Sequence, residues 1–534
     1  EVVEAAFGEA VSASDEKADS TPAETEAPTE ETEVVEEIIE AVFGEEISAS
    51  KPAATPEETE APEETVPAET EAEETVPTET EPAETLEEVE ASEEAEEAQA
   101  EDEEDLLYAA LDEAQAYIAA IMNANDPSEV VGTFGKHFTW DNEKREDGKP
   151  YFYEWSYYNG VVFEGLEYLY EVTGETQYRD YVLEYMASMI NEDGSWTVTS
   201  NKGDKTAAGY VNTHGVDGYK TASLLLDAYT MSGDTRYLET AAVLYADLDA
   251  AAEEYSLPNA GNNYRHTWKS DPTPDLWLDG LYMILPFRAE YAALMGDQAE
   301  LDLIVDRMQW VSDNMYNEKT GLFYHAADNA ESNSGTHWLR SMGWYAAAMV
   351  DVMDHMEGEN LEAMKAQLKK MVDGMAAVQN ADNGMWLNNM KAELDAKSNP
   401  YETSGTALVT YAVMKAVNNG WLEESYAQMA IDAFLGICEE KLVGGVLKDI
   451  CLKGAPGSTS AKFVSNEGKG VGPFIMLYTE IKEYLYGAVE LEPVLESIVA
   501  SGRDTFDQRE AFEEPVVTAL FTDFSGEERH QRRI

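Results

Sequence analysis

Cysteine is nearly absent. Cys438 and Cys451 are the only two in 534 residues, so neither a disulfide framework nor a cysteine zinc site is written here, and two buried thiols are expected. Basic residues are also scarce: 34 Lys and Arg stand against 108 Asp and Glu, a formal net charge of −74. That field repels polyanions and argues against nucleic acid and anionic membranes as partners. The chain has no apolar run of the roughly eighteen residues that a membrane-spanning helix requires, and no signal peptide is visible. The first residue is Glu1 rather than Met, which points to a processed or trimmed end.

The first 105 residues contain 40 acidic and two basic residues, no Tyr and no Trp. Pro-Ala-Glu-Thr phrases recur from Thr21 to Thr85, and such a segment cannot bury a core. It is expected to be a disordered low-complexity segment ahead of a folded domain over 106–490, with 491–534 as an appendage. Within it, Glu1–Ser14 and Glu37–Ser50 are near copies, read as duplicated linker in preference to a docking peptide. A Glu/Thr/Pro linker of this kind points to an exported, secreted or cell-surface protein, with a cytoplasmic one as the alternative. Residues 106–534 still carry a formal charge of −36.

What the chain does have is a repeat. Gly174, Gly233, Gly296, Gly358 and Gly420 follow one another at steps of 59, 63, 62 and 62 residues, each beside a short acidic turn. An apolar segment precedes each glycine and an amphipathic one follows, as in Leu361, Met364, Leu368, Met371, Met375 and Val378, with steps of three and four. Second glycines, Gly194, Gly321, Gly384 and Gly444, close the units. The preceding segments, Val161–Val172, Ala222–Tyr229, Leu281–Leu294, Ala346–Met353 and Ala407–Val417, are apolar nearly all round and belong inside. Val471–Tyr484 supplies a sixth inner helix and Leu106–Met122 a leading outer one. Six hairpins predict an all-α (α/α)6 barrel; an open superhelix would use a shorter period of about 34 to 47 residues.

In such a ring the segments leading into the inner helices gather at one mouth, where helix N-termini present unpaired N–H groups. Tyr153, Trp155 and Asn159 lead into the first, His214 and Asp217 into the second, and Trp277 and Asp279 into the third. His337, Trp338 and Arg340 lead into the fourth, and Glu402 and Ser404 into the fifth. His137, His266 and His325 join the same lead-in segments. No histidine pair has helical ligand spacing beside a carboxylate, so no recognised metal-ligand pattern is written here. Asp279, enclosed by Trp277, Leu281 and Tyr282, is the best catalytic candidate: burial is expected to raise its pKa and suit it to donate a proton. Asp275 is the better N-cap for the third inner helix. Asp217 is the natural second carboxylate. Trp155, Trp277 and Trp338 are candidates for stacking on sugar rings, Trp344 less so.

These residues resemble the unsaturated rhamnogalacturonyl hydrolases, glycoside hydrolase family 105, related to the unsaturated glucuronyl hydrolases of family 88. The resemblance spans roughly Phe138–Leu485 and rests on four segments: Trp155–Gly165 with Trp-Ser-Tyr-Tyr-Asn-Gly; Pro274–Pro286 with Asp-Leu-Trp-Leu-Asp-Gly-Leu-Tyr-Met; Gly321–Asp328 with Leu-Phe-Tyr-His-Ala; and Trp338–Tyr345 with Trp-Leu-Arg-Ser-Met-Gly-Trp-Tyr. It implies an (α/α)6 barrel with Asp279 as general acid/base and Asp217 as second essential aspartate. His266, His325, Trp338 and Arg340 match substrate-contacting positions, and Trp155, His214, Trp277 and His337 are further substrate-binding candidates at the mouth. Gly218-Tyr219-Lys220 stands where the family has a Pro-Gly-Arg-like run.

The implied reaction is hydration of the vinyl ether in a 4,5-unsaturated uronic acid left by a polysaccharide lyase, with an oligosaccharide substrate as the expected partner and no metal or organic cofactor required. Arg340 is the candidate for the uronate carboxylate, because a guanidinium fork matches it in two bonds. Other readings are an unsaturated glucuronyl hydrolase acting on glycosaminoglycan fragments, an inverting (α/α)6 glycosidase using Asp279 and Asp217, a sugar epimerase that depends on histidines, and a non-catalytic glycan-binding module.

Overall fold

The computed structural model describes residues 86–123, 155–191, 198–200, 203–205, 215–255, 263–266, 275–331, 337–390, 395, 397–453, 461–489, 491, 494–501 and 516–522. The duplicated segments near the start, Tyr153, His137, Gly194 and His214 lie outside them.

In chain order the helices are α1 (Leu86–Asn123), α2 (Tyr157–Thr173), α3 (Thr176–Met189), α4 (Ser223–Ser232), α5 (Thr235–Tyr255), α6 (Leu278–Met295), α7 (Gln298–Asn314), α8 (Ala327–Glu331), α9 (Leu339–Met353), α10 (Gly358–Ala376), α11 (Thr403–Asn418), α12 (Ala427–Gly436) and α13 (Gly468–Tyr486). A 3-10 turn over Gly215–Ala222 runs directly into α4. The inner helices α2, α4, α6, α9, α11 and α13 each pack on the next, and α13 packs back on α2, closing the ring. Helices α1, α3, α5, α7, α10 and α12 form the outer layer, with α1 against α12 and α13. The apolar segments expected inside are inside: every residue of α9 is buried, and α11 is buried from Thr403 to Ala416. On α10, Met364, Leu368, Met371 and Met375 are buried, whereas Val378 lies past the helix end and is exposed.

All five repeat glycines have a left-handed backbone, with φ between 54° and 72°. A side chain is disfavoured there, so glycine is the residue that lets an inner helix stop and turn into an outer one. At Gly174 and Gly233 the cap N–H donates to the carbonyls of Tyr170 and Tyr229. Gly405 serves a different end: a Cβ there would stand 2.7 Å from the Arg340 backbone nitrogen, so its absence lets α11 lie against the start of α9.

The first helix begins ahead of residue 106. Residues 86–105 are helical, because Glu and Ala are strong helix formers and the stripe Leu107, Leu111, Ala114, Ile118 and Ile121 anchors the same helix in the core. Beyond α13, two strands, Val494–Ser501 and Val516–Thr522, pair antiparallel. Shorter hairpins are Val198–Ser200 with Gly203–Lys205, Tyr316–Asn317 with Leu322–Phe323, and Ile450–Lys453 with Lys462–Val464. No helix among the described residues is long and apolar enough to cross a membrane.

Ion pairs inside the ring are matched. Lys220 Nζ lies 2.5 Å from Glu164, which also accepts from Tyr282 Oη at 2.8 Å, and Lys415 bridges Asp351 and Asp354 at 2.9 and 2.6 Å. Lys220, in the run that departs from the family pattern, is thus committed to the interior.

Candidate active site

Short backbone bridges hold the mouth together. Trp277 pairs with Ala326 and Trp338 with Asn389, so the segment leading into each of these inner helices is zipped to the loop that leads toward the next. Leu278 N–H donates to the His325 carbonyl at 3.1 Å and Ala327 N–H to the Leu276 carbonyl at 3.0 Å, which fixes His325 beside the first turn of α6. Asp279 occupies that first turn and is 9 % exposed. Its Oδ2 accepts a hydrogen bond from Ser341 Oγ at 3.0 Å and lies 3.2 Å from His325 Nδ1, while His325 Nδ1 and Ser341 Oγ are 2.8 Å apart.

The sequence reading gave Asp279 a raised pKa. The structure reverses that. Burial does push the carboxyl up, but His325, by charge and hydrogen bond, together with His266 and Arg340 outweighs it and holds the group at about 2. Those three partners come from three separate segments.

Asp217 sits on the 3-10 turn ahead of α4, with its side chain about one-third exposed and its Oδ1 3.6 Å from His266 Nε2. The residues after it are tied down. The Gly218 carbonyl accepts from Trp155 Nε1 at 2.8 Å, Tyr219 Oη donates to Asp247 at 2.9 Å, Lys220 pairs with Glu164, and Thr221 Oγ1 donates to the Ser156 carbonyl at 3.0 Å. Trp277, 37 % exposed, stacks on His266 at 4.3 Å and lies against His325 at 5.0 Å.

Arg340, on the first turn of α9, stacks over Trp338 at 4.6 Å and donates from Nη1 to the Cys451 carbonyl. Its Nε has no acceptor among the described residues. Cys451 N–H in turn donates to Glu402 Oε1 at 2.9 Å, and Glu402 caps α11 by accepting from Ser404 and Gly405 N–H. Glu402 and Ser404 are therefore parts of the frame that holds Arg340. Burial drives the Cys451 thiol up to about 11, leaving it a neutral thiol.

Two candidates are not brought to this cluster. Trp155 is fully buried, and its indole N–H anchors the turn that carries Asp217. His337 is also fully buried: its Nδ1 donates to the Phe323 carbonyl at 2.7 Å, and its Nε2 lies 3.1 Å from Thr320 Oγ1, packed on Tyr324. The backbone at Trp338 is strand-like, so neighbouring side chains point opposite ways and His337 turns inward while Trp338 faces Arg340. Asp275 does not cap α6, whose N-cap is Trp277; it accepts from Asp328 N–H at the start of α8. Trp344 is core, stacked on Tyr282.

The sequence reading missed three members. Ser341 is one. Tyr157, at the start of α2, has its phenol pushed well up by burial, with Asp217 adding to the rise and Arg340 opposing it. Lys469, on the first turn of α13, is buried, pairs with Glu467 and lies over Tyr158; burial lowers its pKa, Glu467 opposes that, and Arg340 lowers it further. The signal was Asn466-Glu467-Gly468-Lys469, the lead-in to the sixth inner helix, where Glu467 caps α13 as Glu402 caps α11.

The family described as Glycosyl Hydrolase Family 88 matches residues 129–485 of this chain. The unsaturated rhamnogalacturonyl hydrolase YesR of Bacillus subtilis is 25 % identical over 296 residues, covering 54 % of this chain and 77 % of that protein. Among solved structures, a family 105 glycoside hydrolase from C. acetobutylicum ATCC 824 superposes with a TM-score of 0.54 at 27 % identity, covering 62 % of this chain and 94 % of its own. A possible family 105 member from Klebsiella pneumoniae shares the fold, with a TM-score of 0.55 at 18 % identity over 70 % of this chain and 94 % of that one.

Proposed function

The chain belongs to glycosyl hydrolase family 88, among the unsaturated uronic-acid hydrolases of the family 88 and family 105 type, and on that premise we propose that it removes an unsaturated galacturonyl unit from the non-reducing end of lyase-generated rhamnogalacturonan oligosaccharides. The observation that carries this reading is the placement of one buried carboxylate, Asp279, in the combined field of His325, His266 and Arg340.

The substrate contains a C4–C5 double bond joined to the ring oxygen, and its carboxylate is conjugated with it. Asp279 delivers a proton to C4, an oxocarbenium ion forms at C5, and Asp279, now ionised, takes a proton from the water that adds to C5. The hemiketal opens and releases the neighbouring sugar, so one carboxyl serves both transfers. In the resting site Asp279 is ionised. When the uronate carboxylate lies on Arg340 it offsets part of the positive field and excludes water, and both changes raise the Asp279 pKa toward its acid role. In this reading Asp217 and His266, 3.6 Å apart with His266 stacked on Trp277, hold ring hydroxyls.

Because the double bond removes the stereocentre at C4, unsaturated galacturonyl and glucuronyl units are the same sugar, and the aglycone alone distinguishes the substrates. YesR is named for the rhamnogalacturonyl reaction, and the chain's net charge of −74 disfavours sulfated, polyanionic aglycones. Incubation with unsaturated disaccharides bearing rhamnose or a sulfated hexosamine, followed by loss of the ultraviolet absorbance of the conjugated double bond, tests this. Loss is expected with the rhamnose aglycone. Turnover confined to the hexosamine would move the specificity, and unchanged absorbance on both would end the reading.

A further inference from the structure

Resting on that activity, we propose that Ser341 is a positioning residue for Asp279: with His325 it engages Oδ2 alone, so that both proton transfers run through Oδ1. The geometry is a closed triangle of Asp279 Oδ2, Ser341 Oγ and His325 Nδ1, with sides of 3.0, 2.8 and 3.2 Å. Ser341 is fully buried and His325 nearly so. Asp279 Oδ1 accepts no hydrogen bond from a described residue, so the two oxygens of one carboxylate stand in different surroundings.

Hydrogen-bond capacity orders the triangle. An ionised carboxylate only accepts, so the single Ser341 proton is committed to Oδ2. Ser341 Oγ is then left to accept, and the donor facing it is His325 Nδ1–H, which fixes the proton on that ring nitrogen and leaves Nε2 as the other site. Both backbones are held in place: that of His325 is tied to α6 through Leu278 N–H, and Ser341 follows Arg340 on the first turn of α9.

The consequence for chemistry is directional. As the Oδ1–H bond breaks and the C4–H bond forms, the charge left on the carboxylate is met at Oδ2 by the Ser341 hydroxyl, itself held by His325 Nδ1–H, with the His325 ring 3.2 Å away. Oδ1 then takes the proton of the water as the C5–O bond forms. A carboxyl free to turn would spread its proton over both oxygens and lose that pre-orientation. The charged and titratable groups around the triangle are His266 and Arg340, with Asp217 behind His266.

The test compares Ser341→Ala with Ser341→Thr. Ser341→Ala is expected to lower kcat about 10- to 100-fold while KM stays within about threefold, and Ser341→Thr, which keeps the hydroxyl, to restore most of the loss. An infrared titration of the Asp279 carboxyl supplies a readout that needs no turnover. Its pKa should rise in Ser341→Ala, because a donor to the ionised form has been removed, and return in Ser341→Thr. An unmoved titration in Ser341→Ala, or a Ser341→Thr variant as impaired as the alanine one, overturns the proposal. Wild-type protein that leaves every unsaturated disaccharide intact sinks the activity reading alone, since the titration still decides the clamp.

Discussion

Asp279→Asn should lower kcat about 10,000-fold on an unsaturated disaccharide, with KM changed by no more than a few-fold and the fold retained. The size follows from one carboxyl acting twice, first as acid and then as base, with an amide able to do neither. The fold survives because an asparagine oxygen still accepts from Ser341. A stability signature accompanies the kinetic one. The carboxyl is held at about 2, below the value of about 3.9 for an unfolded chain, so its ionised form is favoured in the native site. A depression of that size is worth roughly 2 to 3 kcal/mol; it is fully present above about pH 5 and is lost as the pH falls toward about 2. The variant lacks that dependence, so chemical unfolding of wild type and variant should converge in acid and separate toward neutral pH. Near-normal turnover by Asp279→Asn would move the catalytic role to another residue.

The second large effect belongs to Arg340. Arg340→Lys keeps a positive charge but loses the planar fork and the stacking on Trp338, and it is expected to raise KM about 10- to 100-fold. Specificity is the sharper readout. A substrate whose uronate carboxylate is reduced to an alcohol should bind wild type and Arg340→Lys equally poorly, because the guanidinium then has no partner to lose. If the lysine variant is further impaired on the reduced substrate, Arg340 acts mainly as structure, through Cys451 and the Glu402 cap. The two arms are measured on the same preparation and need no further variant.

The architecture was legible in the sequence because two signals repeat. Gly174, Gly233, Gly296, Gly358 and Gly420 mark the turns through their left-handed backbone, and the apolar segments before them are buried as their composition requires. Depth along the ring was legible as well, since residues leading into an inner helix reach the mouth. Direction was not. His337 and Trp338 are neighbours in a strand-like stretch, and one faces the core while the other faces Arg340. Trp155 reads like a stacking platform but spends its indole N–H on the turn that carries Asp217.

Electrostatics escaped for a related reason. The sequence around Asp279 is apolar and predicts a raised pKa, but His266, His325 and Arg340 arrive from other hairpins and reverse the sign. Lys469 was missed although it obeys the same lead-in rule, in a segment whose Glu467 cap repeats the role of Glu402. Ser341 carries no signal of its own, being a small polar residue in an apolar helix; only the distance to Asp279 picks it out.

Turnover in D2O tests the central claim most directly. If Asp279 protonates C4 of an unsaturated uronic acid, the released sugar carries deuterium bonded to C4 and no longer holds the double bond, as proton and carbon NMR of the product will show. A released sugar with its double bond intact and no deuterium at C4 would mean ordinary glycoside cleavage, and would contradict the account.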